Sequence, residues 1–471
     1  MGVCAVHEAM GQFLDQVCAK IRCRAVHQDI RDELAGHMQE LAGRYQADGM
    51  DADAAAREAV RQMGDSAAIG AQLDKKHRPR TDWPTLLFMA LFVACGALAM
   101  AVCSRGIAAR TVGNEWYYFQ RFLCYMPLGA AVLAALYFFD YTRLQKRPWI
   151  WLVAGAALFA AARLFGAAVA GRYYLAMGPL SVSPMHIAPV LFLIGFAGLI
   201  ERYRGGGAAE VVKLCVVAAV TLLLLVGYPC LGNALVLAAV YAVLLTAAVL
   251  RGHFRGRRRV YLLALYGTGA VLLLMTWLYL VLEHYDVGRF TEFLNFGASD
   301  ASGNGWIYQQ IHNFLSAASW IGPGMHRITI DMALPEPHTN LVLVALIAEA
   351  GILAGIAVAA LCSLLVCRMA VTAHKTRQGF GHYLSLAMCA LIGLEFLFGI
   401  LGGLGWMPLF DIGVPFLSYG GSNYLASMAA VGLSLSVWRR GRMLPSAPPA
   451  AARPRGRFLT IEDGQMLIRW K

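Results

Sequence analysis

Apolar and polar positions divide this chain into two regimes. Residues 1–82 mix charged and apolar positions; from Trp83 onward the chain runs in long apolar blocks with mostly short polar gaps. A helix needs about 20 mostly apolar residues to cross a bilayer core. Such blocks fall at roughly 84–103, 118–139, 149–169, 185–200, 211–228, 231–250, 260–282, 339–366, 382–404 and 416–437, ten in all. They predict an all-α, polytopic membrane bundle. The gap 283–338 is too long for a simple connection, and long loops are usually functional. Within it Ile307, Ile311, Phe314, Leu315 and Ala318 share a helical face, which fits a short helix at the membrane surface or one packed on the bundle.

The first 82 residues read as a small soluble helical domain. Ile30, Leu34, Met38, Leu41 and Tyr45 recur at helical spacing with charges on the other face. Gly49 is a C-cap signal, Asp51 or Asp53 starts a helix through Ala59 and Val60, and a last helix runs from Asp65 to Lys76. The pattern IRDELAGHMQELAGRYQADG followed by AAAREAVRQMGD resembles the prefix domain that precedes several bacterial membrane permeases. It carries no recognisable catalytic set, which points to interaction or regulation.

Composition agrees with the membrane assignment. The chain is 59% hydrophobic and 14% charged, above the apolar share of a soluble domain. The start, MGVCAVHEAM, lacks a basic segment followed by an apolar run, so no cleavable signal peptide is expected. The net charge of +12 does not indicate nucleic-acid binding, because most Lys and Arg beyond the N-terminal region sit in the short gaps. One set of alternate gaps holds fourteen of them, from Arg143 to Arg377, whereas the other holds only Arg105, Arg110, Arg172, Arg289 and Arg327. The positive-inside rule puts the first set in the cytoplasm, with both termini cytoplasmic and 283–338 extracytoplasmic. The predicted organisation is a cytoplasmic helical domain at 1–82, a ten-helix membrane domain at 83–440 and a basic cytoplasmic tail at 441–471. The tail reads as flexible and close to anionic membrane lipid. The eleven cysteines are scattered, with no CxxC pair, so neither a disulfide framework nor a metal site is indicated.

Polar residues within or just above a membrane bundle are costly and often functional. Four clusters stand out. The first is Leu334-Pro335-Glu336-Pro337-His338-Thr339-Asn340, leading towards Glu349 and Gly351. Pro337 resists a helix interior and Thr339 is a good N-cap, so a span is expected to start there, with Glu349 ~13 Å deeper than Asn340. The second runs from Gly405-Trp406-Met407-Pro408 to Pro415-Phe416-Leu417-Ser418-Tyr419-Gly420-Gly421-Ser422. Its glycines and prolines predict an irregular segment dipping into the bundle before the last helix. The third is the turn Tyr228-Pro229-Cys230-Leu231-Gly232-Asn233. The fourth is Gly171-Arg172-Tyr173-Tyr174, then Gly178 and Ser183-Pro184.

In this order the clusters resemble the shape–elongation–division–sporulation (SEDS) family of FtsW, RodA and SpoVE. The P-F-[IL]-S-Y-G-G-S segment is the most specific signature, and L-P-E-x-H-T followed by E-x-G is the second. Tyr308-Gln309 matches a Tyr-Gln pair in the family's long outer loop. The resemblance spans roughly residues 84–440 and implies a protein of the bacterial cytoplasmic membrane. Family members polymerise the lipid-linked disaccharide precursor lipid II into the glycan strands of peptidoglycan, typically beside a class B penicillin-binding protein. It implies Glu336, His338 and Asn340 as the catalytic set. Tyr308, Gln309, Glu349, Ser418, Tyr419, Gly420, Gly421 and Ser422 fall at the substrate site. Arg172 and Arg327 are the outer cations for a departing diphosphate. A divalent cation would do the same work, though no ligand set is readable.

Several polar positions depart from the family pattern. The family's candidate catalytic Asp is Asn340 here, and an amide cannot act as general base. Cys230 stands where the family turn carries Asp, and Ala348 replaces the first Glu of a Glu-Glu pair. Ser183, Pro184, Met185 and His186 replace its Q-P-S-E. Three outcomes stay open. A lipid II glycosyltransferase uses a substitute base, Glu336 before His338 or Asp331. Alternatively, a catalytically degenerate paralogue keeps the groove to bind precursor or to regulate a cell-wall partner. Lipid-linked precursor transport is the third.

Overall fold

The computed structural model describes residues 8–22, 26–76, 81–104, 114, 116–169, 172–177, 180–226, 230–282, 293, 305–323, 334, 337–376, 379–410, 412–441, 459–462 and 465–468. The chain divides into two compact units, Met1–Pro79 with Arg442–Lys471, and Arg80–Gly441.

The first unit holds α1 (Glu8–Lys20), α2 (His27–Ala47), α3 (Ala52–Met63) and α4 (Ser66–Lys76). The start and stop signals work as expected. Gly49 takes φ +92°, the Asp51 side chain accepts the Asp53 amide at 3.3 Å, and Asp65 accepts the amides of Ala67 and Ala68 at 3.0 and 3.1 Å. Helix α1 was not anticipated, although Met10, Phe13, Leu14 and Val17 carry a helical spacing. These four pack with Ile30, Met38, Ala55 and Ala59 into the unit's core. Residues 459–462 and 465–468 of the tail, expected to be flexible, form an antiparallel pair, β4 (Leu459–Glu462) and β5 (Gln465–Ile468).

The second unit is the membrane bundle. Its long helices are α5 (Trp83–Cys103), α6 (Tyr117–Phe138), α8 (Pro148–Phe165), α9 (Pro184–Arg202), α10 (Ala208–Val226), α11 (Leu231–Leu250), α12 (Arg258–Leu282), α15 (Ile352–Lys375), α16 (Gly379–Gly403) and α17 (Gly421–Arg440). The short α7 (Thr142–Gln145) follows α6. Among the described residues eight helices are long and apolar enough to cross a membrane; α12 and α17 occupy the remaining predicted positions. Helix α17 is rich in serine but almost wholly buried, so protein rather than lipid surrounds it. Its polar groups bond to main chain, as with Ser427 Oγ to Asn423 O at 2.9 Å and Ser436 Oγ to Phe139 O at 2.7 Å. The third span, expected to reach 169, ends at Phe165, and the described residues after it form a small antiparallel meander of β1 (Ala167–Val169), β2 (Arg172–Met177) and β3 (Leu180–Val182).

The eighth span differs from its predicted limits. The apolar run from 339 is too long for one crossing, and Gly351, at φ +97°, divides it into α14 (Val342–Ala350) and α15. Antiparallel neighbours fix where the break lies. Cys389 Sγ on α16 bonds Val366 O on α15 at 3.6 Å. Ile352 and Gly403 are each fourteen residues, ~21 Å, from that contact, so the break is level with the end of α16. A Cβ placed on Gly403 would also lie 3.6 Å from Asn340 O, so the two are neighbours. Both ends of α14 are therefore near that level, and α14 lies across the end of the bundle instead of descending through it. Glu349 is consequently exposed and not ~13 Å deeper than Asn340. The short helix expected in the long loop is α13 (Trp306–Ser316). It packs on the bundle, with Tyr308, Ile311 and Phe314 against Leu334, Leu341 and Val344.

Candidate functional site

The described parts of the four sequence clusters meet at one end of the bundle, joined by hydrogen bonds to main-chain groups and, for the third, by packing. Residues 412–420 form the irregular dip that the glycines and prolines predict. Phe416 has φ +66°, uncommon for a non-glycine residue. Its ring packs on Phe92 and Phe396, with centroids 5.3 and 6.2 Å apart, and its carbonyl lies against Gly96, where a Cβ would collide with it. Gly96 and Phe396 are seven residues inside the ends of α5 and α16, so the dip reaches ~10 Å into the bundle. Gly399 admits it, with Val414 N only 3.1 Å from the place of a Cβ. The chain then returns, and α17 begins at Gly421, not 416. A Cβ on Gly421 would strike the Tyr125 ring.

The returning segment holds the 337–340 turn. The Tyr419 amide donates to His338 O at 2.7 Å, and Ser418 Oγ donates to Thr339 O at 2.7 Å. Cys103 Sγ, at the end of α5, reaches Pro337 O at 3.6 Å. Residues 337–340 thus form a braced turn, and α14 starts at Val342 with Leu341 at its N-cap and no side-chain cap, so Thr339 does not serve as the expected N-cap. The His338 imidazole stacks on the Tyr118 ring, centroids 4.2 Å apart and planes 18° apart. The Tyr419 ring meets both edge-on, at 4.9 and 5.6 Å. Arg121, one turn along α6, lies over the Tyr117 ring at 5.2 Å. Tyr117 in turn meets the Tyr118 ring edge-on at 5.4 Å, and burial pushes the Tyr419 phenol up to about 12.

The remaining clusters brace this centre. Ser422 Oγ accepts the Ser183 amide at 2.8 Å and donates to Ser181 O at 3.0 Å, tying the start of α17 to β3. Gly232 lies against Phe410 O and Ile412, which seats the third cluster under the dip. Cys230 Sγ bonds Leu225 O at 2.9 Å. Tyr308 Oη accepts the Leu409 amide at 3.0 Å and so holds the 405–410 segment, while neighbouring Gln309 is exposed.

The structure therefore gathers His338, Asn340, Ser418, Tyr419, Gly420, Gly421 and Ser422, with Tyr308 behind them. The Ser418 and Ser422 hydroxyls are engaged with main chain. Exposed Glu349 sits at the far end of α14. Arg172 opens β2 opposite Val169, and its side chain lies outside the described residues, as do Glu336, Arg327, Asp331, Tyr228 and Pro229. Among the described residues no group of three or more His, Cys, Asp or Glu is placed to hold a metal ion. Tyr117, Tyr118, Arg121 and Cys103 were missed. The readable signal was an arginine one turn inside an apolar block, behind a pair of tyrosines.

The chain as a whole is similar to known proteins. The chain is 28% identical over 414 residues to the probable peptidoglycan glycosyltransferase FtsW of Halomonas elongata, covering 82% of this chain and 98% of that one. The Halorhodospira halophila protein of the same name is 29% identical over 413 residues, covering 84% and 97%. A chain from a solved peptidoglycan synthase complex that coordinates polymerization and crosslinking superposes with a TM-score of 0.61 at 23% identity, over 77% of this chain and 98% of that one. The rod shape determining protein RodA of Thermus thermophilus superposes at 0.53 and 21%, over 76% and 97%. The profile of the cell cycle proteins FtsW, RodA and SpoVE matches residues 82–442, most of the membrane unit, and this multi-pass membrane protein belongs to that family.

Proposed function

We propose that this protein is a peptidoglycan glycosyltransferase that joins lipid II disaccharides into glycan strands. The carrying observation is the convergence of the 337–340 turn with Tyr118 and Tyr419 at the motif end of the bundle, with Arg121 joined to them through the Tyr117 ring. The relatives named for that activity support it. In the reaction a hydroxyl of one lipid-linked sugar attacks the anomeric carbon of another. The bond to the undecaprenyl diphosphate breaks, and the acceptor proton passes to a base. Asn340 cannot take that proton, so we assign it to the Glu336 carboxylate. His338, clamped between tyrosines, is the positioning residue. The Asn340 amide keeps the hydrogen-bonding capacity, though not the basicity, that contact with a sugar hydroxyl needs. Arg121, with Arg172 and Arg327, supplies positive charge for the departing diphosphate.

On this proposal the motif end faces outward and both termini are cytoplasmic, as the asymmetry of basic residues supports. The solved synthase complex supports a crosslinking partner, for which a class B penicillin-binding protein is the family's usual choice. The test is the full chain in proteoliposomes with lipid II, alone and with such a partner. Glycan strands from the wild type that vanish in Glu336→Gln and in Arg121→Ala are the expected result. Absence of polymer under both conditions would refute catalysis. The degenerate paralogue, which Asn340 and Cys230 favour, predicts lipid II binding without polymer. A transporter predicts lipid II crossing the vesicle membrane without polymer.

A further inference from the structure

Residues 319–322 are held rigidly against the break between α14 and α15. The Ile352 amide donates to Ser319 O at 2.9 Å, the Leu353 amide to Trp320 O at 3.2 Å, and the Gly322 amide to Ala350 O at 3.1 Å. Ser319 Oγ also donates to Ile321 O at 3.0 Å. A loop so tied has no need to expose large apolar groups, yet Trp320 is 67% and Ile321 77% exposed. Their height is fixed by the same bonds, at the first turn of the α15 span and level with the end of α16. They continue a stripe down α15, where Leu353, Ile356 and Leu364 are exposed at helical spacing on a membrane-crossing helix.

We propose that Trp320 and Ile321 form a wedge seated in the lipid headgroup–acyl boundary at the motif end of the bundle. A chain segment that continues a lipid-facing stripe at that height meets the boundary, and an indole is the side chain most suited to it. The wedge sets the depth of the α13–α14 roof relative to the bilayer through the three amide bonds at the helix break. The occupant is the lipid interface itself, and the inference stands whether or not the chain polymerises lipid II.

The test uses the full chain in phosphatidylcholine–phosphatidylglycerol nanodiscs, with and without lipids brominated near the headgroup end of the acyl chain. The emission lost on Trp320→Phe isolates the Trp320 signal. The expected component is blue-shifted, quenched by the brominated lipid and little affected by aqueous iodide. A component centred at the emission of water-exposed indole and quenched by iodide would overturn the proposal. So would a component quenched by neither, which would mean that protein covers the site. Because Trp320→Phe retains an aromatic ring, the fold is kept; an Ile321→Asp variant should then move the Trp320 component to the red in the same discs.

Discussion

Phe416 offers the sharpest test of the dip that positions Ser418 and Tyr419. Two effects oppose each other there. Its ring packs on the stacked pair of Phe92 and Phe396, and it is 1% exposed. Truncating a buried Phe to Ala costs ~3–5 kcal/mol in soluble cores. Inside a membrane the unfolded reference is also apolar, so the packing part dominates and the low end, ~3 kcal/mol, applies. Its backbone, at φ +66°, is in the left-handed region, which costs a non-glycine residue ~1–2 kcal/mol. Ala keeps that cost, whereas Gly escapes it and loses about 0.5–1 kcal/mol to its extra freedom in the unfolded chain. Both variants should therefore be less stable than the wild type. Phe416→Gly should exceed Phe416→Ala by about 0.5–1 kcal/mol, reversing the usual order of these residues. That is roughly two- to fivefold in the folded ratio. Reversible unfolding of the full chain by SDS titration in mixed micelles, followed by far-UV circular dichroism, measures it. If Phe416→Ala equals or exceeds Phe416→Gly, the strained backbone does not contribute and the account of the dip is wrong.

Gly351→Ala should cost more than ~2 kcal/mol in the same titration, because left-handed strain adds to a Cβ 2.7 Å from Trp320 O and 2.8 Å from Ile321 Cα, backbone atoms that cannot rotate away. Asp82→Ala strips a buried carboxylate from Arg368 and from the Thr85 hydroxyl 2.6 Å away. With Arg368 still 31% exposed the loss should be about 2 kcal/mol, below that of a fully buried pair, and adding Arg368→Met should recover most of it. Asn340→Asp should raise glycan synthesis if a missing carboxylate is what limits the site; unchanged turnover in the proteoliposome assay would show that the neighbouring substitutions also matter.

Much of the bundle was legible because a bilayer imposes a simple condition. Each crossing needs an apolar run of sufficient length, and its backbone groups must be satisfied within it. The limits of α5, α11 and α16 follow the apolar blocks within a few residues. The eighth span failed because apolarity alone does not distinguish a crossing helix from one lying across the bundle end. Gly351 makes that distinction, and its effect depends on the 319–322 segment packed against it. Caps such as Asp51 and Asp65 were readable because their bonds are local.

The candidate site divides along the same line. The residue types and their order along the chain were enough to mark 334–340 and 415–422 as unusual and to show that Asn340 cannot act as a base. Their meeting was decided only in three dimensions. The bonds from Tyr419 N to His338 O, Ser418 Oγ to Thr339 O and Ser422 Oγ to Ser181 O end on main-chain carbonyls, which every residue possesses and no sequence pattern advertises. The stack of His338 on Tyr118 joins residues far apart in the chain that share no local period. Local spacing tells each segment which face to bury. Which segments bury those faces against one another is a property of the packed bundle, and that packing set Tyr118 and Arg121 beside the turn and carried Glu349 away from it.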